Sequence, residues 1–161
     1  PASQQFQSAL GVDIHAAFEK TSEFLRSQNI VNFGLIHRYE IGRIQDGSVD
    51  FVYSFIVFQH FDSYQEVEFY LDHIQRVLTP GGYAHLFFGK LTNHRGIEVT
   101  DPFDFRKRAV SLFINPNVLR DHLDQMGFTV IEYEDVMPKR IDEPLATDNE
   151  SGQARILIQR R

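Results

Sequence analysis

Two ionisable residues stand at the ends of strand-like runs, where their chemistry needs an explanation. The run Ala9–Ile14 in "SALGVDIH" is apolar apart from Asp13 and a glycine. An ionised carboxylate is costly to bury without a partner. Asp13 therefore either holds a ligand or caps the helical stretch that follows, since aspartate is favoured at helix N-caps. His60, in "FQHF", follows the strongest apolar run of the chain, Val49–Phe58. A histidine just past a strand tip can take a proton from an oxygen or nitrogen nucleophile near neutral pH. The more ordinary role for such a histidine is to bond a loop carbonyl and serve structure alone. The other six of the seven histidines are scattered, without H-x-x-x-H or carboxylate spacing, so no metal site is expected.

The elements that must position these groups alternate in type. Apolar runs at Ala9–Ile14, Phe33–Tyr39, Val49–Phe58, Tyr83–Gly89, Thr129–Val136 and Ala154–Gln159 read as strands. Between them lie helical patterns. Residues 16–28 are helix-permissive, with Ala17, Thr21, Phe24 and Leu25 on one face. Ser63 and Glu66 have the spacing of a capping box, and Val67, Tyr70, Leu71, Ile74, Val77 and Leu78 recur at helical intervals behind it. Pro80-Gly81-Gly82 stops that helix. Asn115 followed by Pro116 starts another, which Gly127 ends. Lys90–Phe113, about residues 90–114, reads as an irregular insertion. Strands alternating with helices predict a three-layer α/β domain over residues 1–161 with a mostly parallel sheet. The closing strand–loop–strand predicts an antiparallel terminal strand.

Composition excludes several classes. A chain of 161 residues suits one domain, and a net charge of −6 argues against a nucleic-acid surface. No apolar run reaches the ~18–20 residues that a membrane span requires. The absence of cysteine removes disulfides and thiolate metal sites and fits a cytoplasmic protein.

The order "GVDIH", "DGSVDFVYSFIVFQHF", helix, "RVLTPGGYAHLFF", helix and terminal strand pair resembles the class I S-adenosylmethionine-dependent methyltransferases, a Rossmann-like α/β fold. The likeness spans about residues 8–160. In that family a strand and a Gly-rich loop come first. The acidic residue of dinucleotide folds follows such a loop by ~20 residues, which places the loop before Pro1 and reads the chain as incomplete at its N-terminus. The strand concerned would lie between those beginning at Ala9 and Val49, so its lack would split the sheet in two.

The resemblance implies S-adenosylmethionine as cofactor and gives the residues roles. Asp13, with Ile14 beside it, would accept hydrogen bonds from the ribose hydroxyls. Glu40 would receive the adenine amino group and Ile41 would pack on the ring, although Arg38 and Arg43 stand ready to pair with Glu40. Ser54 and Phe55 would line the methionine part, with plain core packing as the alternative. His60 would act as the base. In the insertion, Phe103 and Phe105 could wall an apolar pocket and Arg106, Lys107 and Arg108 could meet an anion, unless the charges are simply solvated. The Asn/Asp-Pro-Pro-aromatic turn of amino-directed nucleic-acid methylases is absent, as are acidic metal ligands of the catechol type. A small-molecule substrate is therefore expected. The rivals are a nicotinamide-dependent Rossmann enzyme and a non-catalytic methyltransferase-like module.

Overall fold

The computed structural model describes residues 5–15, 17–91, 96–99, 112–136 and 151–161. The chain is α/β and divides into two compact units, Pro1–Gln45 and Asp46–Arg161.

The first unit is a βαβ hairpin of the parallel kind. Strand β1 (Ala9–Asp13) leads through helix α1 (Phe18–Ser27) to strand β2 (Phe33–His37), and a 3-10 turn follows at Arg38–Arg43. The two strands pair in parallel with Asp13 opposite His37, so both carboxyl ends lie together. Helix α1 starts from Ala17, which makes no side-chain capping bond, so Asp13 is not its cap. None of its side chains is buried, and Phe24 is 63% exposed.

In the second unit, strand β3 (Val49–Ser54) is followed by a 3-10 turn at Phe58–His60, helix α2 (Tyr64–Val77) and strand β4 (Leu78–Leu91). Short strands β5 (Ile97–Val99) and β6 (Leu112–Ile114) precede helix α3 (Pro116–Gln125) and the long strands β7 (Phe128–Val136) and β8 (Ser151–Arg160). The sheet order is β5-β6-β4-β8-β7, with β3 also on β4. β3 and β6 run parallel to β4, and β8 is antiparallel to both β4 and β7. The antiparallel terminal strand expected from the sequence is thus present, inserted between β4 and β7. Among the described residues the strands form two sheets, β1-β2 and the six-stranded one.

The "TPGG" turn shows why glycine is needed there. Gly81 has φ +80°, a conformation that side chains disfavour. A Cβ on Gly82 would lie 2.9 Å from the Thr79 carbonyl oxygen and 3.2 Å from that of Asp50. The close approach of β3 to the start of β4 therefore requires a residue without a side chain.

Helices α2 and α3 cover one face of this sheet. Val67, Leu71 and Ile74 of α2 and Leu119 and Leu123 of α3 pack with Ala84, Leu86, Phe88, Ile156 and Ile158. α3 carries the expected Asn115 cap, whose Oδ1 accepts the Asn117 N–H at 2.9 Å. Ser63 sits at the N-cap of α2 but makes no side-chain capping bond, so the expected box is not formed. On the opposite sheet face Phe51, Tyr53 and Tyr83 remain exposed, with Tyr53 5.6 Å from the His85 ring.

His85 and His73 both titrate below the ordinary value of 6.5. Desolvation is the larger cause in each, followed by Arg155 for His85 and Arg76 for His73. The unfolded chain then binds more protons than the folded one just below pH ~6.5, so stability falls as the pH drops through that value. Urea midpoints are expected to decline between about pH 7.5 and pH 5.5. A His85→Gln/His73→Gln double variant should flatten the decline, and an unchanged slope would contradict the assignment.

Several boundaries differ from the sequence expectation: β4 begins at Leu78, so Pro80-Gly81-Gly82 lies inside it, β2 ends at His37, and β8 begins at Ser151. β3 ends at Ser54, and two residues on Ile56 takes φ +61°, outside the β region that a side-chain-bearing strand residue keeps to. β4 continues to Leu91, and β5 and β6 occupy part of the stretch read as irregular. Phe103, Phe105 and Arg106–Arg108 lie outside the described residues. Among the described residues no helix is long and apolar enough to cross a membrane.

Candidate functional site

In the first unit the candidate residues gather at the carboxyl ends of β1 and β2. Asp13 is exposed, and its Oδ1 accepts the His15 N–H at 2.9 Å, closing the loop that leaves the strand. Its Oδ2 has no partner among the described residues. Ile14, 55% exposed, gives its carbonyl oxygen to His37 Nε2 at 2.8 Å. His37 Nδ1 accepts the Tyr39 N–H at 3.3 Å, which fixes the neutral ring with its proton on Nε2. His37 thereby ties the end of β1 to the end of β2, a role the sequence reading missed.

The turn after β2 is built around Glu40. Its Oε2 accepts the His37 N–H at 3.3 Å, completing a capping box with His37 as the N-cap. Its other oxygen pairs with Arg43. Glu40 is therefore already engaged within its own loop, as the alternative pairing anticipated. Ile41 is buried and offers no open apolar face. Of the four candidate residues in the first unit, Asp13 and Ile14 are the exposed ones, and Tyr39 beside them is 86% exposed. An acceptor-only carboxylate held at a strand end by one backbone bond fits a ribose diol, which needs the remaining lone pairs.

In the second unit the polar groups collect past the carboxyl end of β3. Ser54 is half-buried, while Phe55 is 51% exposed and meets Phe87 edge-on at 4.9 Å. Phe55 is thus not the core residue that its type suggested. Ile56 has φ +61°, an unusual conformation for a β-branched residue, and such strain concentrates at functional sites. Phe58 is buried against Phe88 at 4.8 Å and anchors the 3-10 turn that carries Gln59 and His60. His60 is exposed. Gln59 is buried; its Nε2 lies 3.4 Å from His60 Nε2, and its Oε1 accepts from Gln153 Nε2 on β8. His60 thus bonds a carboxamide, not a loop carbonyl. To serve as a base at Nε2 it would first have to break that bond.

A separate open groove of about 350 Å³ lies between α2 and α3, lined by Tyr64, Glu68, Val118, Asp121, His122 and Gln125. The Tyr64 phenol bonds His122 Nδ1, and His122 Nε2 lies 3.9 Å from Glu68. Burial, aided by Glu68, pushes Tyr64 up to about 12, so its hydroxyl stays a neutral donor. Among the described residues no group of three or more His, Asp or Glu side chains could hold a metal.

The comparisons with known proteins agree with this architecture. Residues 1–86, more than half of the chain, match the family described as "Methyltransferase domain". No curated protein is similar enough to match. Among solved structures, geranyl diphosphate C-methyltransferase from Streptomyces coelicolor A3(2) superposes with a TM-score of 0.75 at 15% identity, covering 99% of this chain and 68% of that one. A SAM-dependent methyltransferase from Methanosarcina mazei gives 0.67 at 16% identity, covering 99% and 84%. The [4+2]-cyclase SpnF gives 0.70 at 13%, covering 95% of this chain, so the chain spans 66% of the cyclase's length. At these identities the likeness shows the fold. The family match with this architecture settles the class and, with it, S-adenosylmethionine as the cofactor. The chain belongs to the methyltransferase-domain family of class I S-adenosylmethionine-dependent methyltransferases.

Proposed function

We propose that the protein transfers a methyl group from S-adenosylmethionine to a small-molecule nucleophile. When bound, the cofactor supplies an electrophilic methyl group on a sulfonium centre. Because the leaving group is then neutral, the chain's own residues chiefly have to align the partners and exclude water. Asp13 holds the ribose, with Ile14 beside it, while Glu40 and Ile41 shape the loop near the adenine. Ser54 and Phe55 border the methionine portion, and His60 stands at the acceptor. A small acceptor is supported by the net charge of −6. It is supported further by the fold neighbour named for geranyl diphosphate.

The observation that carries this reading is the exposed Asp13 carboxylate at the carboxyl end of a parallel strand, in a chain of this family. Hydrogen bonds to a charged acceptor contribute about 1.5–3 kcal/mol. Asp13→Ala is therefore expected to weaken S-adenosylhomocysteine binding by about 10–150-fold, measured calorimetrically on the protein at its native length. Unchanged affinity would remove Asp13 from the site.

One observation favours a second reading, in which the fold serves chemistry other than methyl transfer: a neighbour at TM-score 0.70 is a [4+2]-cyclase. Consumption of radiolabelled methyl donor in the presence of candidate acceptors separates the two. Cofactor binding without turnover across acceptor classes would favour the second.

A further inference from the structure

Gln59 and Gln153 lie 94 positions apart in sequence, yet they form one line of side chains that ends on His60. Gln153 Nε2 donates to Gln59 Oε1, and Gln59 Nε2 lies 3.4 Å from His60 Nε2. A carboxamide nitrogen can only donate. With the Gln59 amide in this orientation His60 Nε2 accepts, and the neutral imidazole then carries its proton on Nδ1. Gln59 is 6% exposed, so it gains by keeping both ends of its amide satisfied. If Gln59 turned over by itself, its nitrogen would meet the donor of Gln153, so the two carboxamides hold one polarity together.

We propose that Gln59 and Gln153 are positioning residues that fix His60 in the Nδ1–H tautomer, so that it offers a hydrogen-bond donor to the bound acceptor molecule. This rests on the placement of His60 at the acceptor. The nitrogen holding the lone pair is tied to a buried amide, and Nδ1 has no partner among the described residues. The chemical complement of that N–H is an oxygen with available lone pairs, a carboxylate or carbonyl oxygen. In this arrangement His60 orients its target through a donated hydrogen bond, and proton removal from the nucleophile is not its task.

The test reads the two ring nitrogens of His60 directly. Long-range 1H–15N correlation spectra of the 15N-labelled full chain distinguish a protonated ring nitrogen from an unprotonated one, with neither cofactor nor acceptor present. The wild type is expected to show the proton on Nδ1. Gln59→Leu removes the donor and Gln59→Glu replaces it with an acceptor, so both are expected to move the proton to Nε2. Gln153→Leu frees Gln59 to turn and should give a mixture. Should Gln59→Leu fail to fold, the Glu variant and Gln153→Leu carry the comparison. A wild-type proton on Nε2, or one tautomer shared by the wild type and all variants, would overturn the proposal. The cofactor titration plays no part in this readout, so the tautomer and the methyl-transfer function can fail separately.

Discussion

Phe88→Ala is expected to destabilise the protein by about 3–5 kcal/mol, the usual range for truncating a buried phenylalanine. The ring is 1% exposed and sits in the cluster formed by α2, α3 and the sheet. Its loss leaves a cavity as well as removing apolar burial. The effect reaches the candidate site because Phe88 packs against Phe58 at 4.8 Å, and Phe58 begins the turn bearing Gln59 and His60. Urea denaturation of Phe88→Ala beside Phe55→Ala makes the comparison. The exposed Phe55 should cost no more than about 1 kcal/mol. Equal losses at the two positions would mean that the packing face of β4 has been assigned wrongly.

Asp135→Ala is expected to cost about 3 kcal/mol, the low end for breaking a buried pair. Lys90 is the reason. Its ammonium group lies 2.7 Å from Asp135 Oδ2, and the lysine side chain is 7% exposed while Asp135 is half in water. Removing the carboxylate leaves a charge in a place that water reaches poorly. Tyr133 on the same strand supplies no charge in its place, since burial, the largest cause of its raised pKa, still holds the phenol protonated. A Lys90→Met/Asp135→Leu double variant removes both charges and should return to within about 1 kcal/mol of the wild type. If the double variant were as unstable as the single one, the loss would come from packing and not from the orphaned ammonium.

What could be read from the sequence was local. Asn115-Pro116 announced α3 because a cap and a proline act within one turn. Gly81 and Gly82 announced the irregular first part of β4, after which its regular pairing with β3 runs from Tyr83, because their conformation and close approach tolerate no side chain. Asp13 drew notice as a polar interruption of an apolar run, and it does lie at a strand's carboxyl end. Four other features left no such mark. The end of β3 comes two residues before the positive φ of Ile56, a residue whose type suggests more strand. β5 and β6 have three residues each, too few to show a period. The capping box formed at His37 and Glu40, and histidine is not a usual cap, while the expected Ser63 and Glu66 box did not form. The Gln59–Gln153 contact joins residues 94 apart, which single-sequence spacing cannot reveal.

The central claim is that the carboxylate closing β1 recognises the ribose of a methyl-donor cofactor. Parallel calorimetric titrations of the native-length protein with S-adenosylhomocysteine and with NAD test it most directly. Saturable binding of S-adenosylhomocysteine alone, lost or greatly weakened in Asp13→Ala, is the predicted result. Binding of NAD in its place, or S-adenosylhomocysteine affinity untouched by the substitution, would contradict it.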